Sequence, residues 1–162
     1  MGTIEVVDNF LTPDQHEFVL DYCEEASYYY GEVDRKGLPP TGMIHIIDPD
    51  RDIYELFRHK TEQYSEGELC EMYINCFAPS ERPYFHTDGS DGITMLYYPQ
   101  EKWEPDDGGE TQFYVDGEIR GIVPQPNRLV YFDASILHRA TSFRSVHRFT
   151  ICLLYTSDAA DE

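Results

Sequence analysis

The chain has 162 residues, with 31 Asp and Glu against 12 Lys and Arg, so its formal net charge is −19. This length predicts a single domain, and a hydrophobic share of 41% supplies enough apolar side chains for a core, which excludes a disordered chain. Nucleic acid and anionic membrane surfaces are excluded as primary partners, because a polyanion offers no basic surface to phosphate groups.

The N-terminal segment and the cysteines predict a cytoplasmic protein. Residues 1–34 carry nine acids and no Lys or Arg, the opposite of the cationic start of a secretory signal. No apolar run approaches the roughly 18 residues of a membrane span. The four cysteines lack CxxC spacing and are expected to be free thiols of a reducing compartment: Cys23, Cys70, Cys76 and Cys152.

Helices and a loop are predicted for the first third of the chain. Thr12 is a candidate N-cap, and Gln15 is placed to complete a capping box, so a helix is expected to about Ala26. The pattern then predicts, in chain order, a mobile loop over 31–42, a strand over 43–47 and a second helix over 51–64.

After Gly67 the sequence changes to short strands separated by turn residues. Many short strands at regular spacing are typical of a β-sandwich or jelly roll. We therefore predict a mainly β domain with N-terminal helices. The predicted strands are 72–77, 84–88, 93–98, 111–115, 119–123, 129–132 and 148–154.

The last eleven residues, 152–162, are predicted to be a non-native tail. Their sequence, Cys-Leu-Leu-Tyr-Thr-Ser-Asp-Ala-Ala-Asp-Glu, resembles one reading frame of a transposase adapter used to prepare sequencing libraries. The domain is then expected to comprise residues 1–151. The alternative is a natural acidic tail.

The motif that carries chemistry is His86-Thr87-Asp88. On a strand, residues two apart point to the same face, so this spacing places an imidazole beside a carboxylate. A lone His-x-Asp motif is more often structural than functional. Here two further candidate residues accompany the motif, since His138 follows a predicted strand and Arg148 lies ten residues later on the last strand.

Two histidines and one carboxylate on one face match the facial triad of non-haem Fe(II) oxygenases, which leaves three positions of an octahedral metal open. A bidentate 2-oxo acid can fill two of these positions and O₂ the third. The far carboxylate of such a cosubstrate needs a buried cation, and a guanidinium fork suits it better than an ammonium. Arg148 stands at the required place, and Thr150 faces the same way and can donate a further hydrogen bond.

The order of these residues resembles the prolyl 4-hydroxylase-like, 2-oxoglutarate- and Fe(II)-dependent dioxygenases, most closely the short phage-type or bacterial members. The resemblance is strong over residues 70–151 and covers residues 1–69 as the helical support that such proteins carry. The landmarks are His86-x-Asp88, Tyr97-Tyr98, Trp103, Asp107-Gly108-Gly109-Glu110-Thr111, Asn127-Arg128-Leu129-Val130-Tyr131-Phe132, His138 and Arg148-Phe149-Thr150.

This resemblance implies a double-stranded β-helix, a jelly-roll or cupin-like fold, with iron held at its open end by His86, Asp88 and His138. Arg148 is implied to pair with the distal carboxylate of 2-oxoglutarate, and the hydroxyl of Tyr98 to bind the same group.

One position departs from the resemblance. Relatives often carry a tyrosine on the strand before the His-x-Asp motif, where this chain has Phe77. The hydroxyl near the cosubstrate is then either lost or supplied by Tyr73 or Asn75. Strand parity turns four further side chains toward the pocket: Thr94, Leu96, Thr111 and Ala140.

The implied activity is hydroxylation of a C–H bond with Fe(II), O₂ and 2-oxoglutarate, releasing succinate and CO₂, with ascorbate as a candidate reductant. The candidate substrate is a prolyl residue in a peptide or protein, or else a small molecule. Two alternatives stay open. One is a non-catalytic, cupin-like metal-binding or sensor module, and the other is an adaptor that uses Tyr28-Tyr29-Tyr30 and acidic surfaces for protein contacts.

Overall fold

The structure, a computed structural model, describes residues 3–157. Within this range lie the helices α1 (Pro13–Glu25) and α2 (Asp52–Thr61), with 3-10 turns at Glu62–Tyr64 and Pro105–Asp107. The strands are β1 (Ile4–Val7), β2 (Tyr29–Tyr30), β3 (Met43–Ile46), β4 (Leu69–Phe77), β5 (Ile93–Tyr98), β6 (Thr111–Val115), β7 (Glu118–Ile122), β8 (Arg128–Asp133), β9 (Leu137–Arg139) and β10 (Arg148–Tyr155). Among the described residues, no helix is long and apolar enough to cross a membrane.

Helix α1 begins at the predicted capping box. The backbone N–H of Gln15 donates to the Thr12 hydroxyl at 3.2 Å, and the Thr12 N–H donates to the Gln15 side-chain oxygen at 3.0 Å. These two bonds satisfy donors that a helix start otherwise leaves unpaired. Val19 and Cys23 are fully buried on one face, so packing in the core stabilises the helix in addition to the cap.

The strands form two antiparallel sheets. The larger has seven strands in the order β1-β8-β5-β10-β4-β3-β2, and the smaller has three in the order β7-β6-β9. Phe113 of the smaller sheet packs edge-on against Phe132 of the larger, with ring centroids 4.8 Å apart. Two facing sheets with helices from the N-terminal region confirm the predicted fold class, a double-stranded β-helix.

Alternation along the central strands gives the larger sheet two different faces. On β10, Ile151 and Leu153 belong to the main apolar core with the helices, whereas Thr150 and Cys152 face a cavity between the sheets. The helices therefore cover one face and leave the polar positions of the other face for the site.

Residues 1–69 contribute more than the predicted helical support. β1 pairs with β8, and β3 pairs with both β2 and β4, so this region extends the larger sheet at both of its edges. The sequence predicts only β3 among these strands. β1 and β2 are missed because four and two residues carry little periodicity, and distant partners fix their places.

The predicted strand over 84–88 is wrong. His86 forms an isolated bridge with His138, through His86 N–H to His138 O and His138 N–H to His86 O, both at 3.0 Å. The Asp88 N–H donates to the carbonyl of Ala134 at 2.9 Å. Regular pairing goes no further, because Pro83 has no N–H to donate and Gly89 adopts a positive φ of 154°.

The predicted boundary at Ile151 cuts through a central strand. β10 continues to Tyr155, paired with β4 on one side and β5 on the other. Cys152, Leu153 and Tyr155 are each 5% exposed or less. The domain therefore includes these residues. The non-native origin of the tail stays a prediction, and its residues 158–162 lie outside the described ones.

Truncation within β10 is expected to be severely destabilising. A chain ending at Ile151 loses three buried side chains, Cys152, Leu153 and Tyr155, and the ladder bonds beside them. The two largest, Leu153 and Tyr155, are each worth about 1.5–3 kcal/mol, so the free energy of unfolding is expected to fall by about 4 kcal/mol or more. A chain ending at Thr156 keeps the strand and the two hydrogen bonds between Thr156 and Glu68, and is expected to match the parent. Urea unfolding of both chains checks this, and equal stability would contradict it.

Candidate active site

A cavity of about 600 Å³ opens between the two sheets. Its inner walls come from β4, β5 and β10 of the larger sheet, and from Thr111 and His138 of the smaller one. The outer wall comes from β3 and from residues 32–34 of the loop before it. Such a cavity has the volume of a typical site for a small molecule.

His86, Asp88 and His138 converge on one point of this cavity. Their ligand atoms lie within 4.8 Å of one another, which makes them the one cluster of this kind among the described residues. The Nε2 atom of His86 lies 3.4 Å from Asp88 Oδ1, and Nε2 of His138 lies 3.1 Å from Asp88 Oδ2. The bridge between His86 and His138 brings the two histidines together, although 52 positions separate them in sequence.

The other nitrogen of each imidazole faces a backbone carbonyl. His138 Nδ1 lies 2.9 Å from the oxygen of Ile136, and His86 Nδ1 lies 3.3 Å from the oxygen of Tyr84. With Nδ1–H donating to these carbonyls, both Nε2 lone pairs point to the shared position beside Asp88. Metal-binding histidines are usually oriented in this way.

The electrostatics favour an ionised carboxylate at the centre. Burial raises the pKa of Asp88, but hydrogen bonds and charges from His138 and His86 outweigh it, and the pKa lies well below its usual range. Burial lowers the pKa of His86, but its hydrogen bond and attraction to Asp88 give a net increase. The Thr94 hydroxyl donates to Asp88 Oδ2 at 2.8 Å. Two imidazole nitrogens and one anionic oxygen are the donor set that non-haem Fe(II) prefers, so these residues fit that metal.

Arg148 is a buried cation on the wall of the same cavity, 1% exposed. Its nitrogens donate to neutral acceptors, namely Gly109 O at 2.9 Å, Thr150 Oγ1 at 2.6 Å and Thr111 Oγ1 at 2.9 Å. Among the described residues, no carboxylate lies within 4.0 Å of it. Burial lowers the pKa of Arg148, but a guanidinium remains charged in proteins. An unpaired buried charge costs several kcal/mol, so this position fits an anionic ligand.

Gly109 is required for the placement of Arg148. It has a positive φ of 80°, and a Cβ atom there would lie 2.3 Å from the ring of Phe143. Only glycine fits both conditions. Its carbonyl can therefore accept from the guanidinium, a role that no local sequence pattern reveals.

Thr150 and Tyr98, both expected to contact the cosubstrate, differ in their position relative to the cavity. Thr150 lines the cavity and accepts from Arg148. Tyr98 is fully buried behind Thr111, with its hydroxyl 2.6 Å from Thr111 Oγ1 and its ring 5.7 Å from the Arg148 guanidinium carbon. Tyr98 does not line the cavity, and Thr111 presents the hydroxyl there.

Tyr73 and Asn75 both line the cavity, and so does Phe77, which stands where relatives often carry a tyrosine. Burial, followed by the charges of Cys152 and Asp88, raises the pKa of Tyr73 well above its usual value. Tyr73 therefore offers a neutral hydroxyl close to the triad. The four side chains that parity turns inward also line the cavity: Thr94, Leu96, Thr111 and Ala140.

The remaining histidines lie outside this cluster. His16 contacts the hydroxyl of Tyr97 and the carbonyl of Gln100, and His45 lies 2.9 Å from the hydroxyl of Tyr22. His147 is exposed on the surface. Trp103, a landmark of the resemblance, does not line the cavity, and its indole N–H donates to the Gly108 carbonyl at 2.7 Å.

Comparisons with known proteins bear on the family and the fold. The family model described as the 2OG-Fe(II) oxygenase superfamily matches residues 72–156. A solved prolyl-4-hydroxylase of Pseudomonas putida aligns with a TM-score of 0.75 and 19% identity, over 94% of this chain and 91% of that one. A prolyl hydroxylase of Trichoplax adhaerens, in complex with a peptide fragment of the hypoxia inducible factor oxygen degradation domain, aligns with a TM-score of 0.73 and 19% identity, over 95% and 83%.

A third solved structure is HygX from Streptomyces hygroscopicus with nickel and 2-oxoglutarate bound. It aligns with a TM-score of 0.72 and 9% identity, over 94% of this chain and 82% of that one. At these identities the likeness establishes a shared fold. A comparison with curated protein sequences finds no match.

Proposed function

Because the chain belongs to the 2OG-Fe(II) oxygenase superfamily, we propose that it is a hydroxylase that uses Fe(II), O₂ and 2-oxoglutarate to convert a substrate C–H bond to C–OH. His86, Asp88 and His138 are the proposed iron ligands, and Arg148 with Thr150 is the proposed clamp for the cosubstrate. The observation that carries the proposal is the buried Arg148 cation, which shares a cavity with the triad and has no carboxylate partner among residues 3–157.

The bound iron and cosubstrate supply the oxidising power, so that substrate, 2-oxoglutarate and O₂ give hydroxylated product, succinate and CO₂. The protein contributes position and exclusion of water. His86, Asp88 and His138 would hold the metal, and its remaining coordination positions would be open to 2-oxoglutarate and O₂. A guanidinium held by Gly109, Thr111 and Thr150 cannot turn away from the cavity, which makes it a fixed fork for a carboxylate.

Asp88 also favours hydroxylation over halogenation. A halide needs a coordination position of its own. Halogenases provide it by carrying a small residue in place of the carboxylate ligand. Here a carboxylate is present and its pKa is held low. A non-catalytic metal-binding module would account for the triad, but it has no use for an unpaired buried Arg148 beside it.

For the substrate, we propose an extended peptide with a target prolyl residue. The cavity shares Pro83 and Ala140 with a neighbouring cavity of about 690 Å³, so the depression continues beyond the triad. An extended chain suits such a surface, since its backbone presents donors and acceptors at regular intervals. Glu32 and Glu71 line the first cavity, so basic residues next to the target are expected to favour binding.

Pro-containing peptides flanked by Lys or Arg are expected to gain one oxygen atom by mass spectrometry, in a reaction that needs Fe(II) and 2-oxoglutarate. Matched peptides flanked by Glu are expected to react more slowly, because one exposed ion pair is worth about 0.2–1 kcal/mol, or up to about fivefold. Added salt should reduce this difference, and Glu32→Gln with Glu71→Gln should remove it. If free proline or another small metabolite reacts while every peptide is inert, the peptide proposal is wrong and the oxygenase assignment stands.

A further inference from the structure

The loop over residues 31–42 carries a carboxylate that reaches the segment before the triad. Asp34 is 14% exposed at its side chain. Its Oδ2 atom accepts from the Thr41 hydroxyl at 2.9 Å and from the backbone N–H of Tyr84 at 2.8 Å. Its Oδ1 atom lies 4.0 Å from Nδ1 of His86. One face of this carboxylate is therefore fixed by the protein, and the other faces a proposed iron ligand.

Asp34 and His86 are also linked through the backbone of one residue, Tyr84. Tyr84 donates its N–H to Asp34, and its carbonyl oxygen lies 3.3 Å from Nδ1 of His86. The position of that carbonyl sets the direction of the imidazole, and so the direction of Nε2. A carboxylate near the second nitrogen of a metal-binding histidine also makes the ring a stronger ligand.

The two histidines differ in how their backbones are held. His138 lies on β9, which pairs with β6 in a regular sheet, and its Nδ1 has a carbonyl at 2.9 Å. His86 lies outside any strand and is joined to the fold by the isolated bridge. Its own carbonyl contact is longer, at 3.3 Å. The support that β9 gives to His138 must reach His86 from another element.

We propose that Asp34 is a positioning residue for the metal centre. It holds the backbone of Tyr84 and the His86 imidazole so that Nε2 faces the position shared with Asp88 and His138. This inference rests on the proposed function, because it assigns His86 as a ligand. It also connects the loop that forms the outer wall of the cavity to the metal centre.

A second hydrogen bond between the same loop and the same segment provides a matched control. Glu81 accepts from the backbone N–H of Gly42 at 2.9 Å. This bond joins the same loop to the same segment, but no contact links Glu81 to His86. Loss of Glu81 therefore loosens the loop and leaves the Asp34, Tyr84 and His86 contacts in place.

The test is a Co(II) titration of the metal-free full-length protein, followed by the visible absorption of the bound cobalt. Asp34→Ala is expected to weaken Co(II) binding at least about tenfold, the effect of losing a residue that orients a ligand, and to alter the cobalt spectrum. Glu81→Ala is expected to stay within about twofold and to keep the parent spectrum. Asp34→Asn keeps an oxygen for the Tyr84 N–H but loses the charge, so its affinity should fall between the parent and Asp34→Ala.

Parent affinity and spectrum in Asp34→Ala would overturn the inference, and so would equal losses in Asp34→Ala and Glu81→Ala. If Asp34→Ala fails to fold, Asp34→Asn decides, and parent-like binding by it overturns the inference. His86→Ala separates this result from the proposed function. If the parent binds Co(II) and His86→Ala does not, the metal centre stands whatever Asp34 does, whereas equal binding by those two proteins removes both claims.

Discussion

Replacing His86, Asp88 or His138 by Ala, one at a time, is expected to abolish 2-oxoglutarate turnover. Each change removes one of three donors that meet within 4.8 Å. Loss of a residue that merely orients a ligand already costs about 10–100-fold in metal affinity, so loss of a ligand is expected to cost more than about 100-fold. Fe(II) affinity under anaerobic conditions and succinate formation in air measure the two effects.

His147→Ala is the matched control, since His147 is exposed and contributes no ligand atom to the cluster. It is expected to keep the parent affinity and rate. Full activity in His138→Ala would contradict the triad assignment, and loss of activity in His147→Ala would show that the assay responds to surface histidines.

Arg148→Ala is expected to separate cosubstrate binding from metal binding. The substitution leaves all three proposed ligands in place but removes the buried arginine that, among the described residues, lines the cavity and could pair with a carboxylate there. Losing one partner of a buried charge pair costs about 2–5 kcal/mol, so the dissociation constant of 2-oxoglutarate should rise more than about thirtyfold. Calorimetric titration of 2-oxoglutarate into the Fe(II)-loaded, anaerobic protein measures this constant.

Two further variants sharpen that result. Arg148→Lys keeps the charge and loses the planar fork, so its affinity for 2-oxoglutarate should be intermediate. Arg144→Ala removes an exposed arginine whose guanidinium donates to the carbonyl of Asp106, and it should change binding energy by about 0.5 kcal/mol or less. Unchanged 2-oxoglutarate affinity in Arg148→Ala would contradict the proposed clamp.

Local patterns predict the parts of this molecule that local interactions determine. The capping box at Thr12 and Gln15 depends on residues three apart, and the structure contains both of its hydrogen bonds. The inward face of β10 follows from strand parity, which places Thr150 and Arg148 on one side. The motif His86-x-Asp88 is found from two positions close in sequence, but the bridge that brings His138 to it is a contact between distant segments.

Contacts between distant segments explain what the sequence does not predict. Asp34 lies 52 positions before His86, and a folded loop brings the two together, so no spacing rule reveals it. Parity turns Tyr98 inward but does not show that Thr111 covers its hydroxyl. The region 84–88 resembles a strand in composition, yet a strand needs several consecutive residues paired with a neighbouring strand, and here the pairing is an isolated bridge at His86.

The central claim is that this cavity couples O₂ to the decarboxylation of 2-oxoglutarate at a metal held by the triad. Succinate formation from 2-oxoglutarate by the Fe(II)-loaded protein, compared in air and under argon, tests it most directly. We expect succinate in air, none under argon or after chelation of the iron, and none from His138→Ala. Equal succinate formation under argon would contradict this claim. So would the absence of succinate in air from a protein that binds both Fe(II) and 2-oxoglutarate, when peptides and small metabolites have all been tried as substrates.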